Sequence, residues 1–393
     1  MTKKISIGML CIWLFSSVAI FFLFETETSQ AIPAFGRKYR MSCTTCHAPF
    51  PKLKDYGDEF AGNGFVLKDK DAPRYTMETG DEKLDLIREF PIAVRLEGFI
   101  KYLSETDRNA DLSTPYNLKL LSGGAITKDV AYYFYFYLSE RGEVAGVEDA
   151  YIMFNNLFNS ELDFYFGQFQ ISDPLFKREL RLSYEDYPVY TVKPGISNIN
   201  LAYDRGIMLT YGFETGTDII GEIINGNGIG EADDFRVFDD DKYKCFVGRI
   251  SQDIGEYFRI GGFAYYGKEG NEITNEVKYY GPDFSFVYGP IELNMQYLER
   301  RDSDPAFEEL QGDDIETRGT MAEVILMPYG DRSEWYALAL HNWIESDITD
   351  LNYNTLTGHL GYVFRTNIRM YGEFTYDIEH EESRAVMGIV TAF

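Results

Sequence analysis

Hydrophobic and polar residues alternate along most of the chain from about residue 88 to its end. In the stretch IELNMQY, Ile291, Leu293 and Met295 alternate with glutamate, asparagine and glutamine. In RMYGEFTYDI, Met370 and Phe374 fall on one face, with charged or hydroxyl side chains on the other. A period of two residues places successive side chains on opposite faces of a β-strand. The region therefore predicts a series of strands, each with one apolar and one polar face.

The length of these segments separates two classes of β protein. Soluble sandwiches also alternate, but their turn signals recur every ~8 to 12 residues, and the segments here run longer. Aromatic residues cluster near the segment ends, as at Trp335 and Trp343 and at Tyr132 and Tyr137, which is typical of the girdles of a membrane barrel. We therefore predict a mainly β fold, an outer-membrane antiparallel β-barrel of about 16 strands over residues 88–393.

The first predicted strand covers residues 90–103 and the last covers residues 384–393. The last stretch, RAVMGIVTAF, finishes on Phe393, and a terminal aromatic residue on an alternating strand resembles the assembly signal of outer-membrane barrels. A barrel of this size has a lumen wide enough for a channel or a plug. The connection at 170–202 is long for a compact barrel and contains a short helical pattern around Phe176, Leu180 and Leu182. We hypothesise that it folds into the lumen as a constriction, the alternative being a surface loop.

A different signal lies near the start of the chain, where Cys43, Cys46 and His47 form the spacing C-x-x-C-H. Two thiols on one turn can form thioethers to the two haem vinyl groups, and the following imidazole can bind the iron. A thioredoxin-like dithiol would need a βαβ setting, and a zinc site would need a second ligand pair downstream. The remaining cysteines, Cys11 and Cys245, do not form such a pair. The motif therefore predicts one covalent haem c, with His47 as the proximal ligand.

The first residues predict export from the cytoplasm. Lys3 and Lys4 precede an apolar run over residues 5–24, and Ser29 and Ala31 occupy the small-residue positions of a cleavage site. We predict a signal peptide at 1–31, a monohaem cytochrome c domain with a small α-helical fold at 32–87, and the barrel at 88–393. The alternative is an uncleaved inner-membrane anchor, because the apolar run is long enough to span a bilayer of ~30 Å. Haem attachment would take place in the periplasm in either case.

Composition limits the partners. The chain of 393 residues has a net charge of −26, which argues against nucleic acid because phosphates need a basic surface. A negative field would concentrate a cation such as Fe(II). The stretch EADDFRVFDDDK could gather hard cations through carboxylate oxygens, but a solvated acidic loop is the favoured interpretation, because the spacing matches no calcium-loop pattern.

The stretch IPAFGRKYRMSCTTCHAPFPKLKDYGDEF resembles a known family, the monohaem outer-membrane cytochrome–porin fusions of iron-oxidising bacteria and their relatives in metal-respiring bacteria. The matching positions are Pro33, Phe35, Arg37, Pro51, Leu53, Tyr56, Gly57, Phe60, Asn63, Gly64 and Phe65. The resemblance implies that Cys43 and Cys46 hold the haem and that His47 is its ligand. It also implies electron transfer between an extracellular donor or acceptor and periplasmic carriers such as soluble c-type cytochromes. Tyr56 stands where the iron oxidisers usually have phenylalanine.

The second axial ligand is an open question at this level. Met77 follows His47 closely enough in sequence to offer a thioether, and His341 and His359 fall on faces that we assign to the lumen. Each has a competing interpretation, Met77 as a packing residue and the histidines as polar lining.

Three functions are compatible with these features. The first is electron transfer across the outer membrane, with iron oxidation at the cell surface as one form of it. The second is a haem-containing porin or redox sensor, which needs an open pore. The third is a peroxidase-type enzyme, which needs an open iron position and a distal acid-base group.

Overall fold

Two short helices and a small hairpin precede a closed barrel in the computed structural model, which describes residues 34–67, 76–77, 79–104, 109–171, 175–308 and 314–393. The helices are α1 (Ala34–Tyr39) and α2 (Asp55–Gly62), and a 3-10 turn, Cys43–Thr45, lies between them. The hairpin pairs β1 (Thr76–Met77) with β2 (Leu86–Ile87). The predicted signal peptide at 1–31, including Cys11, lies outside the described residues.

The barrel has sixteen antiparallel strands, each paired with its neighbours in chain order, which confirms the predicted fold class and strand number. The strands are β3 (Ile92–Leu103), β4 (Ala110–Ala125), β5 (Val130–Glu140), β6 (Gly146–Leu157), β7 (Leu162–Gln170), β8 (Tyr203–Gly212), β9 (Thr217–Ile224), β10 (Cys245–Ile254), β11 (Phe258–Glu269), β12 (Asn275–Tyr288), β13 (Ile291–Asp302), β14 (Ile315–Leu326), β15 (Trp335–Ser346), β16 (Tyr353–Arg365), β17 (Ile368–Asp377) and β18 (Glu382–Ala392).

The last strand closes the barrel by pairing with the first. The register of β18 against β3 runs from Arg384 opposite Leu103 to Ala392 opposite Arg95. Phe393 continues the pairing, because its backbone exchanges two hydrogen bonds with Val94, at 2.7 and 2.9 Å. The terminal aromatic residue therefore completes the seam.

The barrel is apolar on its outer surface and polar inside. In β16, Leu356 and Leu360 are each 54 % exposed, whereas Thr357 and His359 between them are buried. The same alternation in β17 exposes Met370 and Phe374 and buries Arg369 and Glu373, the charged residues that alternate with them. Apolar side chains on the outer surface of a barrel face lipid, so the barrel is built to span a membrane.

One predicted girdle residue has the opposite orientation. Tyr137 is buried and its hydroxyl donates to Glu179, 3.1 Å away, so this part of the girdle prediction is wrong. Trp335 does lie on the outer surface, where its ring is 4.5 Å from that of Tyr362. No helix among the described parts of the chain is both long and apolar enough to cross a bilayer.

The two ends of the barrel differ. At one end the strands are joined by short turns such as 255–257, 289–290 and 366–367, and we call this the short-turn end. The opposite end carries the long connections, including 171–202 and 225–244.

The connection at 171–202 lies inside the lumen, which confirms the constriction hypothesis. Its buried side chains join the inner wall in one apolar cluster and include Leu182, Tyr187, Val189, Tyr190, Ile199 and Leu201. Arg300 of β13 donates to the carbonyl oxygens of Val192 and Ile199, at 3.1 and 2.8 Å. A 3-10 helix, Arg178–Leu180, forms where the sequence predicts a short helix. We call residues 171–202 the lumen loop; residues 172–174 of it are not among those described.

Candidate haem-binding site

The C-x-x-C-H motif forms a single compact turn. The amides of Cys46 and His47 both donate to the carbonyl oxygen of Cys43, at 3.2 and 3.0 Å, and the Ser42 hydroxyl caps the turn by accepting from the Thr44 amide. Both cysteines are half-buried and neither forms a disulfide. The two thiols and the imidazole therefore start from one turn of backbone, as attachment of one haem requires.

The His47 ring is oriented by a single hydrogen bond. Its Nδ1 atom lies 2.9 Å from the carbonyl oxygen of Pro51. Because a carbonyl can only accept, Nδ1 carries the proton and the lone pair lies on Nε2, the atom left to bind a metal. Burial lowers the pKa of His47, although hydrogen bonding to the backbone opposes this shift, and a neutral ring is the form that binds iron.

Helix α2 packs directly onto this turn. A Cβ atom on Gly57 would collide with the carbonyl oxygen of Cys46 and lie 2.9 Å from the Leu53 side chain. Glycine is therefore required at this position by the close approach of two backbones. This contact gives a physical reason for Gly57, one of the positions that resemble the cytochrome–porin family.

Residues 34–67, which we call the haem segment, lie across the short-turn end of the barrel. On one side Arg37 donates to the carbonyl oxygen of Ile92 at the start of β3, at 2.6 Å. Asn155, near the end of β6, donates to the carbonyl oxygen of Gly62, at 2.7 Å. An aromatic cluster of Phe35, Phe60 and Phe65 stacks against Tyr133 of β5.

Ion pairs fasten the haem segment on the other side of the mouth. Lys52 pairs with Glu292 of β13 at 2.8 Å, and Lys54 pairs with Asp331 of the β14–β15 turn at 2.5 Å. Lys177 of the lumen loop reaches Asp58 at 2.6 Å. The segment is thus held by several parts of the barrel wall and by the loop inside it, and residues 33–393 form one compact unit.

A cavity of about 290 Å³ lies between His47 and the barrel wall, and we call it the haem cavity. Pro49 and Phe50 line it from the haem segment, Met327 and Tyr336 from around the β14–β15 turn, and Val363 from the end of β16. Thr366, also in the lining, is a hydrogen-bond partner of the Cys43 thiol. A second cavity of about 900 Å³ adjoins it and shares Ala48, Met327, Gly330 and Asp331.

The donor set and its surroundings fit a covalent haem c. Two free thiols and an imidazole with an available Nε2 share one turn, and His47 of that turn lines the haem cavity together with apolar side chains such as Phe50 and Val363. Arg332 and Arg365 also line the haem cavity, and guanidinium groups suit the propionates of a haem. Cys43, Cys46 and His47 are thus the residues that would hold the group.

The three candidates for the second axial ligand lie in three different environments. Met77 is 44 % exposed in the β1–β2 hairpin and is not among the described residues that line the haem cavity. His341 lies opposite the lipid-exposed Leu356 in the register of β15 and β16, and its Nε2 contacts Asn354 at 3.0 Å. Its predicted position on the lumen face is therefore wrong.

His359 does face the lumen, as predicted, but both of its ring nitrogens have partners. Nδ1 lies 2.9 Å from Glu373 and Nε2 lies 3.2 Å from the hydroxyl of Tyr336. The ring is also stacked between Tyr336 and Tyr371. His359 is therefore a member of a buried polar network beside the haem cavity.

The acidic stretch and the third described cysteine contribute nothing to this site. Asp239, Asp240 and Asp241 bring their carboxylates within 4.8 Å of one another, and Lys244 forms an ion pair with Asp239. Cys245 is buried in β10 and forms no disulfide.

Sequence reasoning missed the wall of the haem cavity. Met327, Tyr336 and Thr366 come from barrel turns and strand ends that lie far from Cys43 in the chain. A methionine or threonine just after a strand carries no signal of its own, because only closure of the barrel brings these positions to the haem segment.

The barrel is similar to solved porin structures. OmpT of Vibrio cholerae in its trimer form matches with a TM-score of 0.56 and 12 % identity, covering 78 % of this chain and 99 % of that one. An anion-selective porin from Comamonas acidovorans has the same values. The outer membrane channel DcaP of Acinetobacter baumannii matches with a TM-score of 0.53 and 13 % identity, over 78 % and 97 % of the two chains. No family model and no curated protein matches the sequence.

Proposed function

We propose that this chain carries electrons across a bacterial outer membrane through one covalent haem c held in the mouth of a porin-like barrel. The lipid-facing surface and the outer-membrane neighbours support that location. In outer-membrane barrels the short turns face the periplasm and the longer loops face the exterior. The haem segment would therefore face the periplasm, where soluble c-type cytochromes can approach it.

The placement of the Cys43–His47 turn across the barrel mouth is the observation that carries this proposal. The apolar band of a membrane barrel is roughly 25 Å tall, and electrons need a bound redox centre to cross such an insulating layer. A haem at this turn would lie between the lumen and the periplasm, and an extracellular donor or acceptor would exchange electrons with it from the lumen side. When bound, the haem iron supplies one-electron redox chemistry.

Individual side chains would bind the haem, orient its ligand and shield it from water. Cys43 and Cys46 bind the group covalently, and His47, oriented by Pro51, supplies the proximal nitrogen. Phe50 and Val363 line the haem cavity with apolar surface and would exclude water from a bound haem. A dry, rigid surrounding reduces the reorganisation that accompanies electron transfer.

The lumen loop supports electron transfer rather than diffusion of solutes. Lys119 of β4 forms an ion pair with Glu179, and Arg369 of β17 donates to the carbonyl oxygen of Leu182 at 2.7 Å. The backbone amides of Tyr184 and Glu185 both donate to Glu373 of β17, at 2.7 and 2.9 Å. Anchored to β4 and β17 and packed against the inner wall through its apolar side chains, the loop would narrow the pore.

Proteoliposomes provide the test. The chain is produced with haem-attachment machinery, purified in detergent, checked for covalent haem by mass, and reconstituted around trapped oxidised cytochrome c. Ferrous iron added outside is expected to reduce the trapped cytochrome, and the double variant Cys43→Ala, Cys46→Ala is expected to reduce it no faster than empty vesicles. Ferrous iron is the first donor to test, because the chain is strongly acidic.

Three results would contradict the proposal. Equal rates for the haem-loaded chain and the double variant would remove electron transfer as the function. A large, steady conductance of the loaded chain in a planar bilayer would instead favour a haem-containing porin, and rapid turnover of peroxide would favour an enzyme.

A further inference from the structure

We infer that Met327, in the turn between β14 and β15, is the second axial ligand of the haem iron. This inference rests on the haem of the proposed function and adds the residue that binds its distal face. His47 and Met327 line the same cavity from opposite bodies, the haem segment and the barrel. The iron ligands would then come from two parts of the chain that only the folded barrel brings together.

The chemistry of the cavity lining singles out this side chain. A thioether is a soft donor that binds haem iron opposite histidine in many cytochromes. Apart from His47, Met327 is the one methionine or histidine among the described residues that line the haem cavity.

Two oxygen donors of the same lining, Tyr336 and Asp331, are already engaged. The Tyr336 hydroxyl accepts from Arg369 at 2.6 Å and contacts His359 at 3.2 Å. Asp331 is paired with Lys54 at 2.5 Å. Binding iron through either residue would break a contact that holds the wall together, whereas ligation by Met327 breaks none of these contacts.

The backbone around Met327 is held by hydrogen bonds within its own turn and to the neighbouring turn. The Met327 amide donates to the carbonyl oxygen of Pro290, in the neighbouring turn, at 2.7 Å. Its carbonyl accepts from the Gly330 amide at 2.8 Å, and the Tyr329 amide donates to the Ser333 hydroxyl at 2.8 Å. A ligand on a rigid turn loses little freedom on binding, which favours ligation.

Ligation by Met327 has a consequence for the whole protein. With both axial positions of the iron occupied, small ligands such as carbon monoxide would bind poorly. A thioether ligand would also raise the reduction potential of the haem. The bond from Met327 would also link the haem segment to the β14–β15 turn. The Lys54–Asp331 ion pair already joins these two parts of the chain.

The test compares variants of the full-length, haem-loaded protein in detergent. Met327→Leu keeps an apolar side chain of similar volume but removes the sulfur. Met321→Leu is the matched control, because Met321 lies in β14, is buried, and is not among the described residues lining the haem cavity. The readouts are the far-red charge-transfer band of ferric histidine–methionine haem, binding of carbon monoxide to ferrous haem, and the reduction potential.

We expect the parent protein and Met321→Leu to show the far-red band and to bind carbon monoxide weakly. Met327→Leu is expected to lose the band, to bind carbon monoxide on most of its haem, and to have a lower potential. Met327→His is expected to restore a six-coordinate, bis-histidine spectrum without the band.

The outcomes distinguish this inference from the proposed function. Persistence of the far-red band and of six-coordination in Met327→Leu would overturn the ligand assignment while leaving the haem in place. A parent protein with five-coordinate haem would also overturn it. Absence of covalent haem from the parent, measured by mass and by pyridine haemochrome, would overturn the proposed function itself.

Discussion

The Nδ1 atom of His47 lies 2.9 Å from the carbonyl oxygen of Pro51, and this bond sets both the tautomer and the direction of the ring. The partner is a backbone atom of the tight segment that follows the motif, where the Ala48 amide also donates to the carbonyl oxygen of Lys52. The ligand is therefore oriented by local structure. The space that His47 faces depends on the barrel, since residues within 327–336 and 363–366 complete the lining of the haem cavity.

Removal of the His47 ring should change the haem without detaching it. In His47→Ala the two thioethers remain, so the mass is that of the haem-loaded chain less the lost ring, but the proximal nitrogen is missing. We expect an altered spectrum and a much slower reduction by ferrous iron, with partial recovery on addition of imidazole. His380→Ala is the control, because His380 is exposed in the turn between β17 and β18. An unchanged spectrum in His47→Ala would refute its role as a ligand.

The contact of α2 with the motif predicts an effect of one methyl group. Gly57→Ala places a Cβ against the carbonyl oxygen of Cys46 and should destabilise the haem segment by about 1–3 kcal/mol. Less haem should be attached per chain, measured as the ratio of haem absorbance to protein.

A second glycine in the same helix supplies the matched control. A Cβ on Gly62 would meet no atom within 4 Å, so Gly62→Ala should preserve haem content and, by helix propensity, stabilise α2 by up to ~1 kcal/mol. Equal loss of haem in both variants would show that the collision at Gly57 is not the cause.

The lumen loop should loosen in acid. Burial alone would raise the pKa of Glu179, but attraction by Lys119 and Arg181 outweighs burial and lowers this pKa from 4.5 to about 2. A carboxyl whose folded pKa is depressed stabilises the fold above its unfolded pKa, and that contribution is lost as the pH falls towards the folded value. We therefore expect loop anchoring to be complete above about pH 4.5 and to weaken towards about pH 2.

Conductance in planar bilayers, or cleavage of the loop by an acid-active protease, measures this release. Glu179→Gln should shrink the acid-dependent change. Part of the acid-dependent change should remain, because Asp186 also stabilises the loop. Burial alone would raise the pKa of Asp186, but attraction by Arg181 and Arg178 outweighs burial and holds this pKa below its usual value. A variant with the full acid response of the parent would contradict the assignment to Glu179.

Arg300 should be critical for the loop, whereas its neighbour should not. The Arg300 side chain is 1 % exposed and also pairs with Asp302, which is fully buried, at 2.6 Å. Arg300→Met leaves that carboxylate buried without its partner, which should cost about 3–5 kcal/mol. The loop should then become sensitive to trypsin at Arg181, which is followed by leucine.

Arg301→Met provides the comparison within the same strand. Arg301 is half-exposed on the outer face and pairs with Glu299 at 2.6 Å, and such surface pairs contribute only ~0–1 kcal/mol. Trypsin resistance should stay at the parent level. Comparable cleavage of both variants would argue against a specific anchor at Arg300.

The alternation of the sequence determined the fold, because strand faces repeat every two residues and this pattern needs no knowledge of distant contacts. Met370 and Phe374, and the charged residues Arg369 and Glu373 that alternate with them, are on the predicted faces. The C-x-x-C-H motif is local in the same sense, since Cys43, Cys46 and His47 share one turn, and the haem that we propose for it rests on residue type and spacing.

Some strands have apolar residues on both faces. In these strands the tertiary structure, and not the sequence pattern, decides which face meets the lumen. In β15, Leu338 and Leu340 face inward and are buried because the lumen loop packs its own apolar residues against that wall. Polarity then no longer marks the lumen, and His341 was placed on the wrong side. The wall of the haem cavity was hidden for a related reason. Met327, Tyr336 and Thr366 approach Cys43 and His47 only after sixteen strands have closed, and no local pattern records a contact that depends on closure.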